Sequence, residues 1–239
     1  MVRAKPLIFP LIAGAGLFGA LWALPSGPIA PVIASAFAAE HAVAAPAPRI
    51  DPPSSSSSET AIFAGGCFWG VEGVFSHVRG VRSVEAGYAG GPKGRRATYD
   101  LVGGGDTGFA EAVRVTYDPR QLRYGTLLRI FFSVITDPTT LNYQGPDHGS
   151  QYRSALFPTN AAQDKTARAY LAQLDAAKLW RGPIMTKVEP VGSFQPAEGY
   201  HQDFMANNPR HPYILRWDAP KLAAFKAMYP ALYSERAAR

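Results

Sequence analysis

The chain has 239 residues, 47% of them hydrophobic and 12% aromatic, with 24 Lys and Arg against 18 Asp and Glu for a net charge of +6. That composition supplies a sizeable core and excludes a wholly disordered chain. The basic excess is scattered, with no run denser than Lys93-Gly94-Arg95-Arg96, which argues for a solvated surface and against nucleic-acid binding, and the single cysteine excludes an internal disulfide.

At the start of the chain Arg3 and Lys5 precede an apolar stretch from Pro6 to Leu24, and the small-residue pattern Ala36-Phe37-Ala38 follows. This predicts an export signal over residues 1–39, cleaved after Ala38 or Ala39. An uncleaved membrane anchor is the alternative, because the stretch approaches the roughly twenty apolar residues that span a bilayer. Either way the protein is expected to be exported, free in the periplasm or anchored facing it. Residues 40–59, rich in Ala and Pro with a serine run from Ser54 to Ser58, predict a flexible linker.

A catalytic domain is expected over residues 60–212 and a C-terminal extension over 213–239. Within the domain, short apolar runs bounded by turn residues predict strands at Ala61 to Ala64, Val81 to Tyr88, Ala110 to Tyr117, Tyr152 to Phe157 and Met185 to Val191. Helical spacing predicts helices at Phe68 to His77, at Tyr124 to Ile135 after the Asp118-Pro119 breaker, and at Ala161 to Leu179. A last short helix follows Gly199 and stops near Asn208-Pro209. Strand-helix-strand units mixed with hairpin-like neighbours predict an α+β two-layer sandwich with long loops.

The lone cysteine lies in Gly65-Gly66-Cys67-Phe68-Trp69-Gly70, where the first strand meets the first helix. A thiol beside the unpaired N–H groups of a helix start is expected to be acidified and nucleophilic, with glycines letting the backbone bend and a substrate approach. A buried structural thiol is the alternative. Glu111 stands at the entrance of the third strand, where an apolar pocket would raise its pKa and suit it to proton donation, or where it would pair on the surface with Arg114. The polar segment from Asp137 to Ser154 includes Asp147 and Tyr152, and Tyr99 lies in the glycine-rich stretch before Glu111. Both phenols could hold an oxygen without ionising, or simply pack.

Taken together, Gly-Cys-Phe-Trp-Gly at 66–70, Gly-Tyr at 87–88, Thr-Gly-x-Ala-Glu-Ala-Val at 107–113, Asp-Pro-Thr-Thr-Leu-Asn at 137–142, Gln-Tyr-Arg-Ser at 151–154 and Tyr-His-Gln-Asp at 200–203 resemble the A-type peptide methionine sulfoxide reductases. The resemblance spans roughly Thr60 to Pro212. It implies a ferredoxin-like plait and reduction of the S epimer of methionine sulfoxide in oxidised proteins. By motif position it implies Cys67 as nucleophile, Glu111 as acid, Tyr99 and Tyr152 on the sulfoxide oxygen, Phe68 and Trp69 as walls around the methyl group, and Asp147 as an orienting carboxylate.

Phe109 and Thr136 depart from histidines common in the family, and His201 fits its Tyr-His-Gln motif in either a packing or a catalytic role. Many relatives resolve the oxidised cysteine with further cysteines, and this chain has none. No bound cofactor is expected, and the reductant is expected to act from outside, as a thioredoxin-like protein or a small thiol. A thiol peroxidase is the rival reading, disfavoured by the tyrosine pair and the aromatic walls.

Overall fold

The structure is a computed structural model and describes residues 42–239. The expected export signal lies outside the described residues.

Strand β1 (Glu59–Gly65) runs into helix α1 (Phe68–Ser76), which returns the chain to β2 (Val81–Ala89). A one-turn helix α2 (Tyr99–Gly103) interrupts the glycine-rich stretch before β3 (Ala110–Tyr117). Helix α3 (Tyr124–Ile130) continues into a π-helical turn (Phe131–Ile135), and a small hairpin of β4 (Tyr143–Gln144) and β5 (Asp147–His148) precedes β6 (Ser154–Phe157). Helix α4 (Ala161–Ala177), the short strands β7 (Lys187–Val188) and β8 (Phe194–Pro196), α5 (Phe204–Asn207), a second π-helical turn (Ile214–Asp218) and α6 (Ala219–Met228) complete the chain.

The main sheet has the order β7-β6-β1-β3-β2-β8, antiparallel except for the β6–β7 pair. β1 is central and buried on both faces, so its residues read as a continuous apolar run rather than an alternation. Phe63 points to the helical side, where its ring packs 4.8 Å from Phe75 of α1 and 5.4 Å from Phe131. Ile62 and Ala64 face the other way into a smaller cluster with Ala110, Ala112 and Phe157. The fold is thus α+β, with the larger core between sheet and helices.

Two expectations about organisation are corrected. The segment beginning at residue 42 is not a free linker: Ala45 is fully buried, its carbonyl accepts from Arg129 Nε at 2.8 Å, and Tyr170 Oη and Gln173 Nε2 donate to the carbonyls of Pro46 and Ala47. Asp51 Oδ1 accepts from Gly125 N at 3.0 Å, satisfying a free donor at the start of α3. The segment has little apolar surface of its own, and long side chains of α3 and α4 supply the hydrogen bonds that fix it. Nor is 213–239 an appendage. α6 packs on α1, its Phe225 is fully buried in the main core, and Ser234 N and Ala238 N donate to the carbonyls of His77 and Ser76.

The other differences are local. The strand expected from Tyr152 begins at Ser154, because Ser150–Tyr152 forms a 3₁₀ turn, and that expected over Met185 to Val191 shortens to two paired residues. The α3 helix, expected to Ile135, widens into its π turn at Phe131.

Candidate functional site

Cys67 occupies the N-cap of α1, with no side-chain cap of its own, at the point where β1 leaves the sheet. The bend requires Gly66, which sits at φ +90° and whose missing Cβ would lie 2.5 Å from the Cβ of Gln144. Gln144 is braced in turn by the chain around it: its Oε1 accepts from Asp137 N at 2.9 Å and its Nε2 donates to the Asp137 carbonyl at 2.8 Å. The polar density of the 137–144 segment therefore serves to hold a loop against the nucleophile's turn.

Glu111 comes from β3, opposite Tyr88 of β2, and is 3% exposed. Its Oε2 accepts from Phe68 N at 3.1 Å, so the carboxyl lies against the Cys67–Phe68 peptide. Burial pushes its pKa up to about 8, with the charges of Asp147 and Asp218 adding to the rise and the Phe68 N–H opposing it. The surface pairing with Arg114 does not form: Arg114 Nη2 binds Glu85 instead.

Tyr99 and Tyr152 are each placed close enough to feel the charges of Glu111 and Cys67, and burial raises both phenols, which therefore stay protonated as donors. Tyr99 is set by Glu198, whose Oε1 accepts from Tyr99 N at 3.0 Å while Oε2 accepts from Tyr88 Oη at 2.8 Å. Tyr152 ends a turn tied to the α2 region, where Ser150 Oγ donates to the Gly105 carbonyl at 2.6 Å and Gln151 Nε2 to that of Gly103 at 3.2 Å. Phe68 is buried, and Trp69 stacks on Phe204 at 3.7 Å between ring centres. The residues singled out in the sequence thus meet around one thiol.

The thiol itself departs from expectation. Cys67 is buried and its pKa is raised well above the ordinary value, first by burial and then by the charges of Glu111, Asp218 and Asp147; the nearby Trp69 N–H opposes the rise. Desolvation and surrounding carboxylates outweigh the helix start, so the resting residue is a protonated thiol.

Two groups of the site come from beyond residue 212. Tyr213 donates its phenolic hydrogen to Asp147 Oδ2 and meets Trp69 edge-on at 5.8 Å. Asp218, fully buried in the second π turn, lies against Gly70, where a Cβ would come within 2.1 Å of its Oδ1; its nearest cation is Lys221 Nζ at 3.6 Å. Burial pushes Asp218 up to about 6, with Lys221 opposing. Gly70 and Cys67 are three residues apart on the first turn of α1, hence neighbours on one face. Replacing Asp218 with Asn removes a negative charge beside the thiol and is expected to speed alkylation of Cys67 by iodoacetamide at pH 7.5 by about three-fold or more. An unchanged rate-against-pH curve would show that Asp218 does not act on the thiol.

Among the described residues no group of three or more His, Cys, Asp and Glu side chains is arranged to hold a metal ion. What the arrangement offers is a nucleophilic sulfur, a proton donor that is half-protonated near pH 8, two phenols and an aromatic wall.

Comparison with known proteins gives a consistent result. Residues 59–231 match the family described as "Peptide methionine sulfoxide reductase". The chain is 54% identical over 187 residues to "Peptide methionine sulfoxide reductase MsrA 2" of Mesorhizobium japonicum, covering 78% of this chain and 95% of the relative. It is 48% identical over 174 residues to "Peptide methionine sulfoxide reductase MsrA" of Deinococcus radiodurans, covering 73% and 84%. Among solved structures, reduced Mxr1 from Saccharomyces cerevisiae superposes with a TM-score of 0.58 at 34% identity, covering 68% of this chain and 92% of that one. Methionine sulfoxide reductase A of Corynebacterium diphtheriae gives 0.54 at 30% identity, covering 72% and 90%.

Proposed function

Because this chain belongs to the peptide methionine sulfoxide reductase family, we propose that it reduces the S epimer of methionine sulfoxide in oxidised proteins through attack by Cys67, with Glu111 as proton donor. It is an oxidoreductase acting on methionine sulfoxide. The observation that carries the assignment of roles is the contact of the Glu111 carboxyl with the Phe68 N–H, which sets a buried acid beside the only sulfur nucleophile.

The sulfoxide sulfur is electrophilic and its oxygen is basic. As Cys67 Sγ bonds to the substrate sulfur, the S–O bond weakens and the oxygen takes a proton from Glu111; the proton of the Cys67 thiol replaces it on the carboxylate. Transfer of the hydroxyl to Cys67 then releases methionine and leaves a cysteine sulfenic acid, so thiol and sulfoxide become sulfenic acid and thioether. Tyr99 and Tyr152, both held protonated, donate to the oxygen as its charge develops, an electrostatic contribution that preorganised donors make largest in a shielded site. With its pKa raised by burial, Cys67 attacks as a thiol that gives up its proton in the course of this step.

Regeneration needs an outside thiol. The incoming sulfur attacks the sulfenic acid, a mixed disulfide forms and water leaves; a second thiol then reduces the mixed disulfide. A thioredoxin-like protein or a small thiol fits this role. Phe68 and Trp69 form the methyl pocket and Asp147, held by Tyr213, orients the substrate.

The ferredoxin-like plait belongs to the same proposal, supported by the central order β6-β1-β3-β2 with α1 crossing between β1 and β2. So does export to the periplasm, supported by Arg3, Lys5, the apolar stretch and Ala36-Phe37-Ala38; intact mass of the protein recovered from that compartment distinguishes cleavage from anchoring.

Steady-state turnover with dithiothreitol and each resolved epimer tests the function. Consumption of the S epimer at a rate ~100-fold or more above the R epimer is expected, since fixed methyl and oxygen sites drive the opposite configuration's chain into the wall. Equal rates would remove the stereochemical assignment.

A further inference from the structure

His201 touches both halves of the proposed site, the aromatic wall and a phenol. It is 1% exposed, and its ring centre lies 4.9 Å from Phe68, 4.5 Å from Tyr99, 4.2 Å from Tyr200 and 5.9 Å from Trp69. Trp69 Nε1 donates to His201 Nδ1 at 3.1 Å. An indole N–H only donates, so Nδ1 must present its lone pair and the imidazole is neutral with its proton on Nε2. Burial depresses its pKa and favours the same state. Among the described residues Nε2 has no protein partner, so the ring's one hydrogen bond is the one to Trp69.

The Trp69 indole is held from several sides: Phe204 stacks on its face with planes 10° apart, and Tyr213 and His211 meet it edge-on. These ring contacts are not directional within the indole plane, whereas the bond to His201 is, because a single in-plane orientation points Nε1 at Nδ1. His201 also backs the Tyr99 ring, and its own backbone is held by the 3₁₀ turn Gly199–His201. One imidazole thus couples the wall proposed to receive the substrate methyl to a phenol proposed to hold its oxygen.

We propose that His201 is a positioning residue that sets the width of the methyl pocket by locking the Trp69 indole, and that the enzyme's preference for methyl over larger sulfoxides depends on this bond. The inference rests on the reading of Trp69 as the methyl wall. A pocket of fixed width discriminates against one extra methylene by about 10-fold or more, whereas a wall free to turn accommodates it.

Two amide substitutions separate the hydrogen bond from bulk. Asparagine places an acceptor where Nδ1 stands, whereas glutamine places its amide near Nε2. His201→Asn should keep the ratio of kcat/KM for methyl over ethyl sulfoxides within about two-fold of the native value; His201→Gln should collapse that ratio about 10-fold, chiefly through KM. The Trp69 indole N–H resonance in ¹H–¹⁵N spectra, assigned by its loss in Trp69→Phe, should be protected from solvent exchange in the native chain and in His201→Asn and exposed in His201→Gln.

Trp69→Phe serves as the control for the underlying reading and should itself lower the methyl-over-ethyl ratio. If it does, while the two His201 variants keep identical ratios and indole signals, the positioning role is overturned and the wall stands. If Trp69→Phe leaves the ratio unchanged, the wall reading fails and the inference falls with it. Should neither His201 variant fold, a rapidly exchanging indole N–H in the native chain overturns the inference by itself.

Discussion

Replacement of Cys67 with Ser is expected to abolish reduction of methionine sulfoxide altogether, with no residual turnover at any thiol concentration. The chain contains one sulfur able to attack, and no other residue can carry the oxygen as a sulfenic acid. A serine hydroxyl in the same buried position is far less acidic than a thiol and binds sulfur poorly as a nucleophile. The native chain makes the complementary prediction. Mixed with excess S epimer and no reductant, it should release one equivalent of methionine per protein and stop, with a mass gain of one oxygen confined to the peptide holding Cys67. Chains with a second, resolving cysteine would instead finish as a disulfide. Turnover by Cys67→Ser, or release of methionine without oxidation at Cys67, would sink the mechanism.

Much of this site is legible in the chain because its parts are short local patterns. Gly66-Cys67-Phe68-Trp69 sits where an apolar run turns into helical spacing, and a strand-to-helix turn is a place where backbone N–H groups and a reactive side chain meet. The strand carrying Glu111 is legible to the residue, from Ala110 to Tyr117, since β-branched and apolar residues bounded by Gly108 and Asp118-Pro119 leave little choice.

Where sequence reasoning falls short, the missing information is long-range or electrostatic. Tyr213 and Asp218 belong to the site only because α6 packs on α1, a contact between segments far apart in the chain. The Asp218-Ala219-Pro220 sequence is a helix-start signal that could have found α6, but nothing local tells that the carboxyl points at Gly70. α2 hides among glycines, although Thr98 caps it and Asp100 stands in its first turn. The thiol misleads for a related reason: a helix start argues for acidity, whereas burial by the packed fold reverses the sign, helped by carboxyl groups that arrive from β3, β5 and the C-terminal π turn. The segment after residue 42 reads as unstructured because its hydrogen-bond partners lie on α3 and α4.

Substitution of Glu111 with Gln is expected to slow formation of the sulfenic acid by about 10²- to 10⁴-fold, the usual range for removal of a positioned proton donor, while substrate affinity changes little. The pH profile should change with it. With its pKa pushed up to about 8, the native carboxyl is protonated below that pH, so single-turnover rate should fall as pH rises through about 8; the Gln variant lacks that limb. The substitution should affect stability in the opposite sense to activity, lowering the rate but raising stability at high pH. In the unfolded chain the carboxyl ionises near 4.5, and in the folded chain near 8, so between these values the folded state binds the proton more tightly. Folding stability is therefore lost as pH rises from 4.5 to 8, and above 8 the cost of burying the carboxylate is felt in full. Gln does not titrate and escapes this loss. At pH 5 the two proteins should be close in stability, and by pH 8.5 the variant should be the more stable by about 4 kcal/mol, since each tenfold difference in proton affinity between folded and unfolded chains is worth roughly 1.4 kcal/mol. Urea denaturation at the two pH values measures the difference. A variant that is slow but gains no stability at high pH would mean that Glu111 rests as a carboxylate, in which case the proton delivered to the sulfoxide oxygen must come from Tyr99, Tyr152 or Cys67 itself.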